Sequence, residues 1–212
     1  MTAQQIKSLA ALEDFGRERL SPSFYMREFL YSEVSNWDCK SNIPDDRALA
    51  LKVGRELCQT LLEPLNATFG RIAIRSAFRS AALNGYCNEM AKQQKAGYSC
   101  AENRKNFAGH IWDHRDEEGL CGATACIVVP WFAERYENGA DWRALAYWMH
   151  DHLPYSTLEF FPRLCAVNVS WHERPKKTIH SHIKPKGHLL RNAHSEHGFG
   201  SWYPDFPSLK LR

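Results

Sequence analysis

Two imidazoles and two thiols stand close together in mid-chain, as His110-x3-His114-x6-Cys121-x4-Cys126. Imidazole nitrogen and thiolate sulfur are preferred donors to tetrahedral zinc, so one reading is a closed Cys₂His₂ knot that stiffens its loop and catalyses nothing. Upstream, Ser76-Ala77-Phe78-Arg79 reads as a tight loop between a strand and a helix. Such a loop fixes the direction of the arginine, whose planar guanidinium can grip a carboxylate with two hydrogen bonds. Glu159, in Ser156-Thr157-Leu158-Glu159, supplies a carboxylate able to act as a general base. After about Lys184, Gly, Pro, His and Ser replace apolar periodicity, and His180, Ser181 and His182, then His194 and His197, are read as solvated tail residues rather than ligands.

The elements that must position these groups follow from the apolar pattern. Asn42-Ile43-Pro44-Asp45-Asp46 is a turn that can cap a helix. Leu49, Val53, Leu57 and Leu61 then repeat every four residues, with Leu62 and Leu65 widening the stripe, and Pro64 and Gly70 are expected to stop it. Ile72 and Ile74 share one face of a short strand, and Ala81 to Lys95 reads as helical. Thr124 to Val129 is a buried strand ended by Pro130, and Asp141 caps a helix carrying Trp142, Leu145, Ala146 and Met149 on one face. In the last clear strand Val167, Val169 and Trp171 alternate with Asn168, Ser170 and His172. The sum is α+β, a small, mostly antiparallel sheet with packed helices. Residues 1–20 are expected as an extension, 21–184 as the domain and 185–212 as an extended tail lying on it.

Composition bounds the function. With 212 residues, 27 Lys+Arg against 24 Asp+Glu and a hydrophobic share of 44%, the chain can bury a core, which excludes intrinsic disorder and collagen-like repetition. A formal charge of +3 without a block of like charges argues against a nucleic-acid partner. No apolar run approaches the roughly 20 residues that cross a bilayer, so no membrane partner is expected. Acidic residues interrupt the first twenty positions where a signal peptide keeps an apolar core, so the expectation is a cytoplasmic chain, released at lysis if phage-derived. Seven cysteines without a CxxC pair, in a chain of this size, are expected as free thiols.

In this order of elements, Arg75-Ser76-Ala77-Phe78-Arg79-Ser80 followed by Ala82-Leu83-Asn84 resembles the "SGYRS..LN" signature of the zinc DD-peptidases related to the Hedgehog signalling domain. The segment beginning Leu20-Ser21-Pro22, the Asn42-x-Pro44 turn, the long helix and the Asn168-Val169-Ser170-Trp171 strand resemble the single-domain bacterial and phage members of that group, over about residues 21–180. The resemblance implies an α+β peptidase domain that acts on peptidoglycan stem peptides. It also implies one zinc, held by a His, an Asp in an "H..G.A.D" motif and a second His on a late strand, with a Glu as base. Three protein ligands leave one zinc position for water, whose pKa the metal lowers to about 7 before a carboxylate takes its proton.

Carried over residue by residue, His110 falls on the first ligand. Gly122 to Pro130 resembles "G.A.DI..P", with Cys126 in place of the Asp and an insertion between it and His110. Val167 to Trp171 resembles "VHVSY", with Asn168 in place of the second His, while a competing register offers His172, four residues or roughly 13 Å along the strand. Glu159 matches the base, and Arg79 matches an arginine near the substrate, with Ser76 and Asn168 as neighbouring peptide contacts. Three functions follow as expectations. The first is a degenerate domain that binds a stem peptide or another peptide terminus. The second is an active zinc metallopeptidase rewired through His110, Cys126 or an insertion carboxylate, and His172, with Glu159 as base. The third is a structural or interaction protein built on the Cys/His knot.

Overall fold

The computed structural model describes residues 6–191 and 198–211, so His194 and His197 lie outside the described residues. In chain order the helices are α1 (Leu9–Arg17), α2 (Glu33–Asp38), α3 (Arg47–Leu57), α4 (Glu63–Phe69), α5 (Ala81–Lys92), α6 (Asn103–Asn106), α7 (Pro130–Glu137) and α8 (Trp142–His152). The strands are β1 (Ala73–Ser76), β2 (Gly122–Val128), β3 (Thr157–Phe160), β4 (Val167–His172), β5 (Thr178–Ser181) and β6 (Gly187–Leu190). They form one sheet in the order β1-β2-β4-β3-β5-β6, antiparallel except where β3 meets β5. The fold is therefore mixed α and β with a mostly antiparallel sheet, as expected.

The long helix forms for the reasons its sequence gives. Asp46 Oδ1 accepts the Leu49 N–H at 3.0 Å, capping α3, and Val53, Leu57, Leu61 and Leu65 are fully buried. Pro64 does not stop it, contrary to expectation. A π-helical turn over Cys58–Leu62 joins α3 to α4, which places Pro64 in a first turn where its missing N–H leaves no bond unmade. The chain leaves α4 only at Gly70, whose φ of 82° is the left-handed region that glycine tolerates.

Strand alternation sorts the sheet into two faces. Leu158, Phe160, Val167, Val169 and Ile179 are at most 1% exposed and belong to the main core, with Trp142 of α8 tilted against Phe160 at 5.1 Å. The opposite face carries Thr124, Thr157, Glu159, Asn168 and Ser170, which line a cleft, and His180 beside them. Packing crosses both boundaries expected at residues 20 and 184. Phe15 of α1 and Leu20 lie in the main core, β6 extends the sheet, and Phe206 packs against Phe69 and Trp131.

Two further expectations are corrected. Cys87 on α5 and Cys100 in the following loop form a disulfide, with Cα atoms 5.8 Å apart, because the helix–loop turn returns the chain to itself. Cys39, Cys58, Cys121, Cys126 and Cys165 are free, as expected. The insertion of residues 111–121 is not a zinc knot. Ile111 and Trp112 plug the core, with Trp112 Nε1 donating to the Thr124 carbonyl at 3.1 Å, and Asp113 accepts the Asp45 N–H at 2.6 Å ahead of α3. Cys121 and Cys126 are five residues apart in extended chain, an odd spacing that sends them to opposite faces of the sheet. His114 is stacked on Phe107 at 4.8 Å. Among the described residues no helix is long and apolar enough to cross a membrane.

Candidate functional site

The cleft takes its floor from one part, Ser76 to Glu159, of a transverse row of the sheet. Through successive Cα partners the row runs Ser76, Cys126, Asn168, Glu159, His180, His188, one residue from each strand. The expected registers put Cys126 and Asn168 on two ligand positions and Glu159 on the base, and the ladder makes Cys126 and Glu159 the two neighbours of Asn168. Cavities of about 780 Å³ and 730 Å³ meet over this row, sharing His110, Glu159, Asn168 and Asn106 as lining residues. Arg79, Ser76, Cys126 and His182 line the second, and His172 lines the far end of the first.

His110 is fixed from both sides. Its carbonyl accepts the Arg79 N–H at 2.8 Å, and its Nδ1 lies 2.8 Å from the Ala77 carbonyl. A carbonyl only accepts, so Nδ1 carries the hydrogen and Nε2 keeps the lone pair. Burial, reinforced by the Arg79 charge, lowers the His110 pKa to about 4, against the opposing pull of the Ala77 carbonyl and Glu159. At neutral pH this is a neutral imidazole in the tautomer that a metal or a donor hydrogen bond requires.

The remaining members of the expected centre do not assemble around it. Burial pushes the Cys126 thiol up, only partly offset by Arg75, so at neutral pH it is protonated. Its surroundings are Val128, Ala133 and Ala166, a small apolar cluster on the cleft side of the sheet. Asn168 donates its amide to Glu159 Oε2 at 2.9 Å. His172 pairs with Gly122 rather than Cys126, and its Nε2 contacts Asp116 at 3.1 Å in the ordered insertion. The trio of His110, Cys126 and His172 is absent from the groups of metal-donor atoms that converge within 4.8 Å of one another among the described residues. The physical reason is the four-residue offset along β4, which no shift of the strand removes.

Arg79 sits at the other wall. One nitrogen, Nη1, donates to Asn84 Oδ1 at 3.1 Å and contacts Cys100 Sγ at 2.8 Å. Asn84 in turn donates to the Ala101 carbonyl at 3.0 Å, and Asn106 donates to Asn84 Oδ1 at 3.2 Å, so a buried amide and the disulfide hold the guanidinium in place. Among the described residues no carboxylate lies within 4.0 Å of Arg79, so it does not brace Glu159. Burial lowers its pKa, and Glu33 works in the other direction, without removing its charge at neutral pH.

The sequence reading assigned His180 and His182 to a solvated tail, and the structure corrects this. They stand beside Glu159, with His182 Nε2 at 3.0 Å from Glu159 Oε1. The signal was present in the sequence, because His-x-His in a strand has period two and places both rings on one face. Phe161 stacks on His182 at 5.1 Å, and the His180 ring lies 5.0 Å from that of His182 and 5.1 Å from that of His188. Among the described residues, Glu159, His180 and His182 form one of two convergent groups of metal donors, the other being Asp45, Asp113 and His114. No protein-family model matches the chain, and neither does any curated protein or solved structure.

Proposed function

We propose that the protein binds a peptide C-terminus in the cleft, as a derivative of a zinc DD-peptidase-like domain whose original metal position no longer holds zinc. The observation that carries this reading is Arg79, a largely buried cation at the wall of a cleft that Glu33 and Glu159 also line, with no carboxylate among the described residues within 4.0 Å of it. Glu33 acts on this guanidinium only at a distance, so a further anion in direct contact is favourable, and a terminal carboxylate matches its fork. The Hedgehog-type architecture remains part of this proposal. It is supported by the register that seats Cys126 and Asn168 together where the resemblance places an Asp and a His. A protonated thiol and an amide are poor company for zinc, and both oxygens of Glu159 are already engaged. Peptidoglycan stem peptides ending in D-alanine are the natural ligand class on this reading.

The test is calorimetric titration of a D-Ala-D-Ala-terminated stem peptide, as the free acid and as the C-terminal amide. Arg79→Ala is expected to lose a charge-assisted pair of about 1.5–3 kcal/mol, roughly 10- to 150-fold in affinity, and amidation to reproduce that loss. Arg79→Lys should rescue only part. Equal binding of acid and amide, or a variant that loses melting temperature while keeping its affinity, would remove Arg79 from recognition.

A further inference from the structure

We infer that Glu159, His180 and His182 form a binding site for a first-row divalent transition ion of the zinc type, three residues that the resemblance does not use as ligands. The inference is independent of peptide binding, since neither Arg79 nor His110 takes part in it. Donor atoms of all three already lie within 4.8 Å of one another, and His182 Nε2 is 3.0 Å from Glu159 Oε1. Ligand bonds of about 2.0–2.2 Å to a tetrahedral ion place donors about 3.3 Å apart, so small rotations of side chains suffice to close the set.

The backbone explains why the three converge. The parallel pairing of β3 and β5 sets Glu159 opposite His180, and the His182 N–H extends the ladder by donating to the Phe160 carbonyl at 2.9 Å. Residues 180 and 182 therefore stand on the same face as Glu159. Outer contacts orient two of the donors, as metal ligands require. Asn168 holds Glu159 Oε2 at 2.9 Å and leaves Oε1 toward the histidines, and Phe161 stacks parallel to the His182 ring. Three rings, those of His180, His182 and His188, lie in a chain of contacts of about 5 Å, which gathers imidazole nitrogens at this end of the row. Imidazoles select zinc, cobalt or nickel over magnesium, and three protein ligands leave one position open. Glu159 and His182 both line the cleft, so that position is reached from it.

The experiment is titration of the metal-free full chain with Co²⁺ alone near neutral pH, followed by visible absorption and calorimetry, with Zn²⁺ and Mg²⁺ as competitors. One Co²⁺ per chain is expected, displaced by Zn²⁺ and not by Mg²⁺. His182→Ala, at an exposed side chain that folding does not need, should weaken binding at least about 100-fold, beyond the span typical of outer contacts. Glu159→Gln keeps the shape and the bond to Asn168 but should weaken binding comparably. His110→Ala should leave it unchanged. The inference is overturned by three results: no saturable Co²⁺ binding, binding indifferent to His182→Ala and Glu159→Gln, or binding lost with His110.

Discussion

Lowering the pH from 7 to 5 should destabilise the protein through His110 alone by about 2 kcal/mol, half or more of what its full titration can contribute. In the folded chain its pKa is lowered to about 4, first by burial and then by the Arg79 charge. In the unfolded chain an imidazole titrates near 6.5, so between those values the unfolded state binds the extra proton. A depressed histidine pKa therefore stabilises the fold fully above about pH 6.5, and the contribution is lost as the pH falls toward 4, with no further change below. The complete loss is about 3 kcal/mol, of which about 2 kcal/mol has gone by pH 5. Carboxylates held low, such as Glu173 at about 2, weaken the fold mainly below this window, whereas His180, also lowered by burial, acts within it and must be cancelled by comparison with a His110 variant. The assay is urea unfolding of the wild type and of His110→Gln at pH 7, 6 and 5, comparing slopes rather than absolute stabilities. The substituted side chain is polar and does not titrate, so its stability should fall by about 2 kcal/mol less over that interval. Parallel pH profiles for the two proteins would show that His110 is solvated in the native state, and the burial argument for its neutral tautomer would fail with it.

Replacing Cys126 by Asp and Asn168 by His should create a zinc site with His110, since these positions pair directly across β2 and β4. Without metal the double variant should be less stable than the wild type, because a carboxylate replaces a buried thiol, and zinc at a hundredfold excess over Kd should return about 2.7 kcal/mol, read as a rise in Tm. Unchanged zinc affinity would show that His110 cannot reach the pair. Trp112→Ala should cost about 3–5 kcal/mol in denaturant unfolding, since the fully buried ring contacts Phe29 and Phe78 and anchors the insertion. A cost under about 1 kcal/mol would mean that the insertion is a surface loop.

Much of the scaffold was legible because its elements repeat with a period. The four-residue spacing of Leu49 to Leu61 and the alternation of Val167 to His172 each name a buried face, and the structure buries those faces. The registers of Cys126, Asn168 and Glu159 could be written down from local sequence because each lies inside a strand or directly before one. What escaped depends on distance along the chain. Cys87 and Cys100 meet through a helix and its return loop, which no spacing rule for metal or redox pairs describes. β5 is four residues long, lies between proline-containing turns and pairs in parallel with a strand 21 residues earlier, so its composition resembles a tail. His180 and His182 were set aside for that reason, although their two-residue spacing already placed them on one face. Pro64 misled in the opposite sense, since a single π-helical turn is enough to make an internal proline an N-terminal one.

The transverse row also acts as a ruler. Neighbouring strands are about 4.8 Å apart, so four steps from Ser76 to His180 measure about 19 Å, close to the length of six residues of extended chain. Because the row crosses the strands at right angles, a ligand lying along it meets side chains and finds no free backbone edge to join. If the cleft takes a peptide as proposed, selection along this floor is by length and by the chemistry at its two ends. A dipeptide anchored near Ser76 and Arg79 ends well before the histidines, and only a ligand of about six residues, or a branched one of equal reach, touches both.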